Sequence, residues 1–169
     1  MLSKIPSRLG YFSGFLICAG LIGFALYLQY AQHEDPCPLC LLQRIVFMVL
    51  GVIFLAAALH GPKKIGATVY GVLIVIGAAI GAGIAGRHVW IQNLPKDKVP
   101  ECGPGLDFII EQFPFHKALQ MVLTGSGECA EKGWTFLGLT IPAWALLCYL
   151  LLGVLGALLA VKVRADFRA

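Results

Sequence analysis

The chain of 169 residues is 59% hydrophobic and only 13% charged, with a mean hydropathy of +0.82, whereas ordinary soluble domains run near about 45–50% apolar and about 25% charged. That composition excludes a soluble globule and a disordered or acidic tail protein, and 20 glycines without a triplet period exclude a collagenous one. What remains is an integral membrane protein, and the net charge of +4 has to be read in that setting.

A short basic head carrying Lys4 and Arg8 opens the chain. A helix crossing about 30 Å of hydrocarbon needs about 20 mostly apolar residues, and four stretches qualify: roughly 11–30, 41–60, 66–86 and 139–161. The first is too long for the apolar part of a signal peptide and no small-x-small site follows it, so it reads as an uncleaved helix. The expected fold is an all-α integral membrane protein, a four-transmembrane-helix bundle forming one domain over residues 1–169. An even number of spans puts both termini on one side. The terminal segments and the minimal link at 61–65 hold Lys4, Arg8, Lys63, Lys64, Lys162, Arg164 and Arg168 against the single acid Asp166. Basic residues in short segments set orientation and acids contribute little, so both termini are expected in the cytoplasm. The positive balance thus reports topology and argues for no nucleic-acid partner.

Two extracytoplasmic loops follow, a short one at about 31–40 (AQHEDPCPLC) and a long one at about 87–138. The long loop is punctuated by Pro95, Pro100, Pro104 and Pro114 and by Gly103, Gly105, Gly125 and Gly127. Its stretch 106–123 mixes aromatic, aliphatic and charged residues, which suggests a broken amphipathic helix in the membrane interface, with a small packed subdomain as the equal alternative. In the third span Gly81, Gly83 and Gly86 spell GxGxxG, but a dinucleotide site needs a preceding strand and a helix N-terminus. Small residues four apart, as at Gly77 and Gly81, instead let transmembrane helices approach closely. Cys18 and Cys148 lie inside the first and fourth spans, where free cysteine behaves as a small buried hydrophobe.

The other four cysteines fall in the two loops: Cys37 and Cys40 as CPLC, and Cys102 and Cys129 in the long loop. Three readings compete. Structural disulfides in an oxidising compartment are one. A four-thiolate zinc site is the second, but structural zinc usually takes two close pairs, and here 26 residues separate the second pair, so no metal is expected. Redox chemistry is the third, and three features favour it. The ring closed by Cys37 and Cys40 is very small, a spacing typical of exchange-active dithiols. Cys40 falls where the second helix begins, so unpaired N–H groups and the positive dipole end favour a thiolate there. Arg44 follows one turn later on the same face, at a membrane edge where a guanidinium needs a task or a partner, and can steady an anion beside Cys40. A disulfide between Cys102 and Cys129 closes a loop worth roughly 3.5 kcal/mol in the chain-entropy picture. Its glycine-rich flanks suggest instead a reducible bond whose sulfurs are open to attack by another protein's thiolate. Two disulfides on one membrane face suggest a relay by thiol exchange. With no haem or flavin motif visible and CPLC at the mouth of an apolar bundle, a lipid-soluble quinone is the natural terminal acceptor. His88, beside Trp90 at the end of the third span, is placed to hydrogen-bond a quinone carbonyl, while His33, His60 and His116 read as ordinary loop or interface residues.

At this point the chain resembles the disulfide bond formation protein B (DsbB) family of bacterial inner-membrane proteins. The resemblance is carried by four spans, PCPLCLLQR, HVWIQNLP, the Cys-Gly-Pro of the long loop and GSGECAEKGWTFLGLTIPAW, and it covers nearly the whole chain. It implies an enzyme of the inner membrane with periplasmic active loops, which reoxidises the thioredoxin-like periplasmic oxidase DsbA and passes electrons to quinone, ubiquinone ahead of menaquinone. It also implies that Cys102 is attacked by reduced DsbA, that Cys129 exchanges with Cys37, that Cys40 is released as the thiolate facing quinone, and that Arg44 and His88 belong to the quinone site. One departure is Arg87, where some members carry an acid. Two resting pairings stay open, 37 with 40 and 102 with 129, or 37 with 129 between the loops. Two rivals remain. A vitamin K epoxide reductase-like enzyme also couples CxxC to quinone in a four-helix bundle, but carries its CxxC late, and a disulfide-stapled four-span adaptor would be no enzyme at all.

Overall fold

A computed structural model describes residues 6–33, 36–95, 114–125, 127–131 and 133–166. Four long helices dominate it: α1 (Ser7–Ala31), α2 (Pro38–His60), α3 (Lys64–Gln92) and, after a short helix α4 (Phe115–Thr124), α5 (Ile141–Asp166). All four long helices have the length and hydropathy to cross a membrane. Many of their large apolar side chains face outward, Val52, Ile65, Leu151 and Val161 among them at 65–79% exposure. Helices apolar on all sides are what a lipid environment requires. The expected four-span helical bundle is therefore the observed architecture.

The helix ends follow local chemistry. Cys37 caps α2 and Pro38 occupies its first turn, where the missing N–H costs nothing. The same helix stops at Gly61, whose φ of 58° is the left-handed C-terminal conformation that glycine adopts freely. Pro62 and Lys63 complete the link, and α3 starts at Lys64.

The helices begin or end a few residues away from the expected spans, α1 at Ser7 and α2 at Pro38 among them, and two differences matter for the site. α3 continues to Gln92 instead of ending near 86, because Gly81, Ala85, His88 and Gln92 keep one buried stripe at helical spacing. α5 begins at Ile141 and runs on to Asp166, so Lys162 and Arg164 belong to its last turns. Between the two, Thr135–Phe136 (β1) and Leu139–Thr140 (β2) pair antiparallel, Thr135 opposite Thr140 and Phe136 opposite Leu139. The two turn residues, Leu137 and Gly138, both have positive φ (52° and 77°), the type I′ geometry of two-residue hairpins.

Packing is closest between α3 and α5, then between α1 and α2 and between α2 and α3. Small residues make the first seam. A Cβ on Gly81 would meet the Tyr149 ring at 2.3 Å, one on Gly71 would meet Ala160 at 2.5 Å, and one on Gly156 would meet Ile74 at 2.5 Å. The packing role expected of Gly77 and Gly81 is realised, since a Cβ on Gly77 would lie 2.9 Å from Leu50, while Gly83 and Gly86 face open space. A central core of Tyr11, Cys18, Phe47, Leu50, Phe54, Ile74, Tyr149 and Leu152 runs through the bundle. A Cβ on Gly10 of α1 would touch Leu159 of α5, so the start of the first span and the end of the last lie at one end of the bundle. At the opposite end a second cluster gathers Cys37, Leu39, Ile91 and Cys129.

Candidate functional site

The second cluster is the candidate site, and three separate elements build it. Cys37 and Cys40 come from the first turn of α2, His88 from the last turns of α3, and Cys129 from a single 3-10 turn at Gly127–Ala130. Cys37 and Cys129 are buried, and His88 is only 2% exposed. Their two sulfurs and one ring nitrogen lie within 4.8 Å of one another. His88 stands between the two members of the CPLC pair, with Nε2 3.7 Å from Cys37 Sγ and Nδ1 4.0 Å from Cys40 Sγ.

The tautomer of this histidine is coupled to the orientation of its neighbour. Gln43, one turn beyond Cys40 and itself buried, approaches His88 Nδ1 with its Nε2 at 3.1 Å. With the Gln43 amide donating, Nδ1 accepts and the ring N–H is on Nε2, facing Cys37; with the amide turned over, the ring donates from Nδ1 instead. The Gln43 backbone is held in turn, because Tyr149 Oη donates to its carbonyl at 2.7 Å while the Tyr149 ring stacks on Phe47 at 4.0 Å.

Cys129 is brought in by a close approach. Gly125 has a φ of 84°, and a Cβ there would lie 2.4 Å from Ile91. The chain thus presses flat against α3 before turning into Gly127–Ala130. Beyond the cysteine, Gln92 Nε2 donates to the Glu131 carbonyl at 3.2 Å and Gln92 Oε1 accepts from Thr140 Oγ1 at 2.7 Å. Cys129 is consequently fully buried, which corrects the expectation that its glycine-rich flanks leave the sulfur open to attack. Gly125 permits tight packing there instead of exposure. Cys102 lies outside the described residues, as does the first half of the stretch 106–123. The second half of that stretch is helical, as α4, with His116, Lys117 and Gln120 exposed and Val122 buried.

On the other side of Cys40 an apolar cavity of about 560 Å³ opens between α1, α2, α5 and the hairpin. Cys40, Gln43 and Arg44 are on its wall with Phe24, Phe47, Trp134, Phe136 and Trp144. Arg44 is spoken for as well as exposed to the cavity: Nη1 donates to Gln29 Oε1 and Nη2 to the Ala25 carbonyl at 3.1 Å. Trp134 stacks on Phe136 and meets Phe24 edge-on, and Trp144 Nε1 donates to the Phe136 carbonyl, so the hairpin is tied down as the outer wall. Cys148 borders the same cavity, whereas Cys18 is core.

Cys37, Cys40, Cys129 and His88 are therefore brought together, and Arg44 sits across Cys40 on the cavity side. His88 is absent from the cavity wall and faces the sulfurs. Gln43, Gln92, Gln29 and Tyr149 escaped the sequence reading; the only signal was amide side chains at the ends of apolar spans, where a polar group needs a partner. The unexpected hairpin had only Gly138, since a Leu at the first turn position is no usual turn signal.

Known proteins share this sequence over most of its length. The family model described as Disulfide bond formation protein DsbB matches residues 7–159. Among curated relatives, the chain is 54% identical over 146 residues to Disulfide bond formation protein B of Hahella chejuensis, covering 86% of this chain and 88% of that one. It is 51% identical over 158 residues to the protein of the same name from Methylobacillus flagellatus, covering 94% and 95%, and 49% identical over 152 residues to that of Nitrosococcus oceani, covering 90% of each. With four membrane-compatible helices and a cysteine pair set against a third cysteine, the chain belongs to the disulfide bond formation protein DsbB family.

Proposed function

We propose that this multi-pass redox protein reoxidises a thioredoxin-like dithiol oxidase of the DsbA kind, in the periplasm, and passes the electrons to a quinone in the bacterial inner membrane. The observation that carries the reading is the position of the CPLC pair: Cys37 faces Cys129 and His88, while Cys40 opens on the apolar cavity. One dithiol thus borders both a thiol-exchange cluster and a lipid-like chamber.

In this reading the substrate's thiolate attacks Cys102, and the Cys102–Cys129 disulfide breaks with its electron pair left on Cys129. Cys129 then attacks Cys37. A Cys37–Cys129 bond forms, the Cys37–Cys40 bond breaks, and the electron pair stays on Cys40. With the Gln43 amide donating, the His88 Nε2–H, 3.7 Å from Cys37 Sγ, is oriented to hydrogen-bond that sulfur through the exchange. Arg44 holds positive charge on the wall shared with Cys40 and favours its thiolate.

The cavity fits a quinone ring. Its volume lies inside the ~300–1,000 Å³ range of small-molecule pockets, its wall is aromatic and aliphatic, and Arg44 supplies a donor suited to a carbonyl oxygen. A bound quinone supplies a two-electron, two-proton acceptor. Cys40, Arg44 and Gln43 are the residues that would meet it, and the stacked Trp134 and Phe136 close the outer side. Ubiquinone is preferred to menaquinone.

The test is turnover. Purified protein with reduced DsbA and quinone is expected to generate oxidised DsbA catalytically, and Cys40→Ala to abolish it. A Cys40→Ala protein that still reduces quinone sinks the assignment.

A further inference from the structure

The cluster that brings the exchange pair together also has the composition of a soft-metal site. Cys37, His88 and Cys129 present two sulfurs and a ring nitrogen within 4.8 Å of one another, all buried. A tetrahedral d10 cation with sulfur at about 2.3 Å and nitrogen at about 2.0–2.1 Å sets its ligand atoms about 3.6–3.8 Å apart. The Cys37 Sγ to His88 Nε2 separation of 3.7 Å already has that length, and the remaining edges need to close by no more than about 1 Å to reach it. A set of two thiolates and an imidazole with no carboxylate selects zinc or cadmium over magnesium or calcium.

The surroundings supply what such a site needs beyond its ligands. For Nε2 to bind a metal the ring proton must sit on Nδ1, and that N–H then needs an acceptor. Gln43 is already beside Nδ1 at 3.1 Å, and rotating its amide replaces the donor by the Oε1 acceptor. Cys40 lies beside the same ring, 4.0 Å from Nδ1, and is not one of the three converging ligand groups.

We propose that, in the reduced protein, Cys37, His88 and Cys129 bind a zinc-class divalent cation, and that the bound ion halts thiol exchange. Each of the two thiols loses a proton to solvent, two sulfur–metal bonds and one nitrogen–metal bond form, and no electron moves. Once either sulfur is in a disulfide the thiolate is gone, so the site exists only in the reduced state. Binding requires neither the electron acceptor nor the protein substrate, so its failure or success is independent of their identity.

The experiment is a cadmium titration of reduced full-length protein carrying Cys102→Ser, followed by thiolate-to-cadmium charge-transfer absorption. One cadmium per chain is expected, with binding weakened more than about tenfold by His88→Ala or Cys129→Ser, unchanged by Cys148→Ser and abolished by prior oxidation. Equal binding by Cys129→Ser, which would put the ion on CPLC alone, overturns the site, as does equal binding by the oxidised protein. In the unsubstituted reduced protein, zinc is expected to protect Cys129 from alkylation, read by mass spectrometry. Unprotected Cys129 at saturating zinc overturns the proposal whether or not the variants fold.

Discussion

Gln92 satisfies both ends of its amide where the chain returns to the cysteines, donating to the carbonyl of Glu131 and accepting from Thr140. Glu131 is two residues beyond Cys129, so this one side chain fixes the approach of the 3-10 turn to α3. Replacing Gln92 by Ala strands a carbonyl and a hydroxyl in a half-buried place, at a cost of about 1–3 kcal/mol. On the proposed relay, the Cys129 attack on Cys37 is expected to slow by about tenfold or more, because small misplacements of reacting atoms are expensive. Rapid-quench trapping of the Cys37–Cys129 bond measures it, and an unchanged rate would remove Gln92 from the machinery. His88 was visible as a candidate from its place in HVWIQNLP, but its use was not. Only its distances to Cys37, Cys40 and Gln43 turn it toward sulfur.

Among the elements, the strand-like passage at Gly125 does the most for its size. Its φ of 84° with ψ of 153° lies where only glycine is comfortable, and the Ile91 side chain occupies the space a Cβ would need. Gly125→Ala is expected to destabilise the protein by about 1–3 kcal/mol and to loosen Cys129. Faster maleimide labelling of reduced Cys129 together with a lowered melting temperature would show both effects; labelling at the parental rate would mean that the turn is held by other contacts. α3 is the other decisive element. Ended near 86, it would leave His88 and Gln92 in a loop, whereas its last turns carry both into the site. Its seam with α5 is equally exacting: Gly81→Ala must displace the Tyr149 ring, which stacks on Phe47 and holds the Gln43 carbonyl. A loss of about 1–3 kcal/mol is expected from such overpacking, read as a lower midpoint of thermal unfolding in detergent, and an unchanged midpoint would show that the ring relocates freely.

For the whole molecule, the bundle has two unlike ends. One gathers the start of α1, the link after Gly61 and the end of α5; the other gathers the cysteines, the hairpin and α4. Arg8, Lys63, Lys64, Lys162 and Arg164 all belong to the first end. On the proposed topology, which the positive-inside rule supports, that end lies in the cytoplasm. In a chain cleared of its native cysteines, a membrane-impermeant maleimide added to intact cells with a permeable outer membrane is expected to label His33→Cys and to spare Lys63→Cys. The reverse pattern would invert the proposed topology and overturn the proposed periplasmic placement of the site.

Hydrophobic length, proline and glycine at helix ends, and the CPLC spacing are local properties, so the number of spans and the place of the Cys37–Cys40 pair at the head of α2 could be read directly from the residues. The meeting of Cys37 with Cys129 was expected only from the family resemblance, and the convergence of Cys37 with His88, 51 positions away, could not be read from the residues. Nor could the amide partners at Gln43 and Gln92 or the aromatic chamber beside Cys40. Burial of an apolar face is encoded by periodicity within one helix, but which buried polar atoms meet depends on how four helices settle against one another through small-residue seams. A change of one methyl group at such a seam alters that answer without altering the hydropathy pattern.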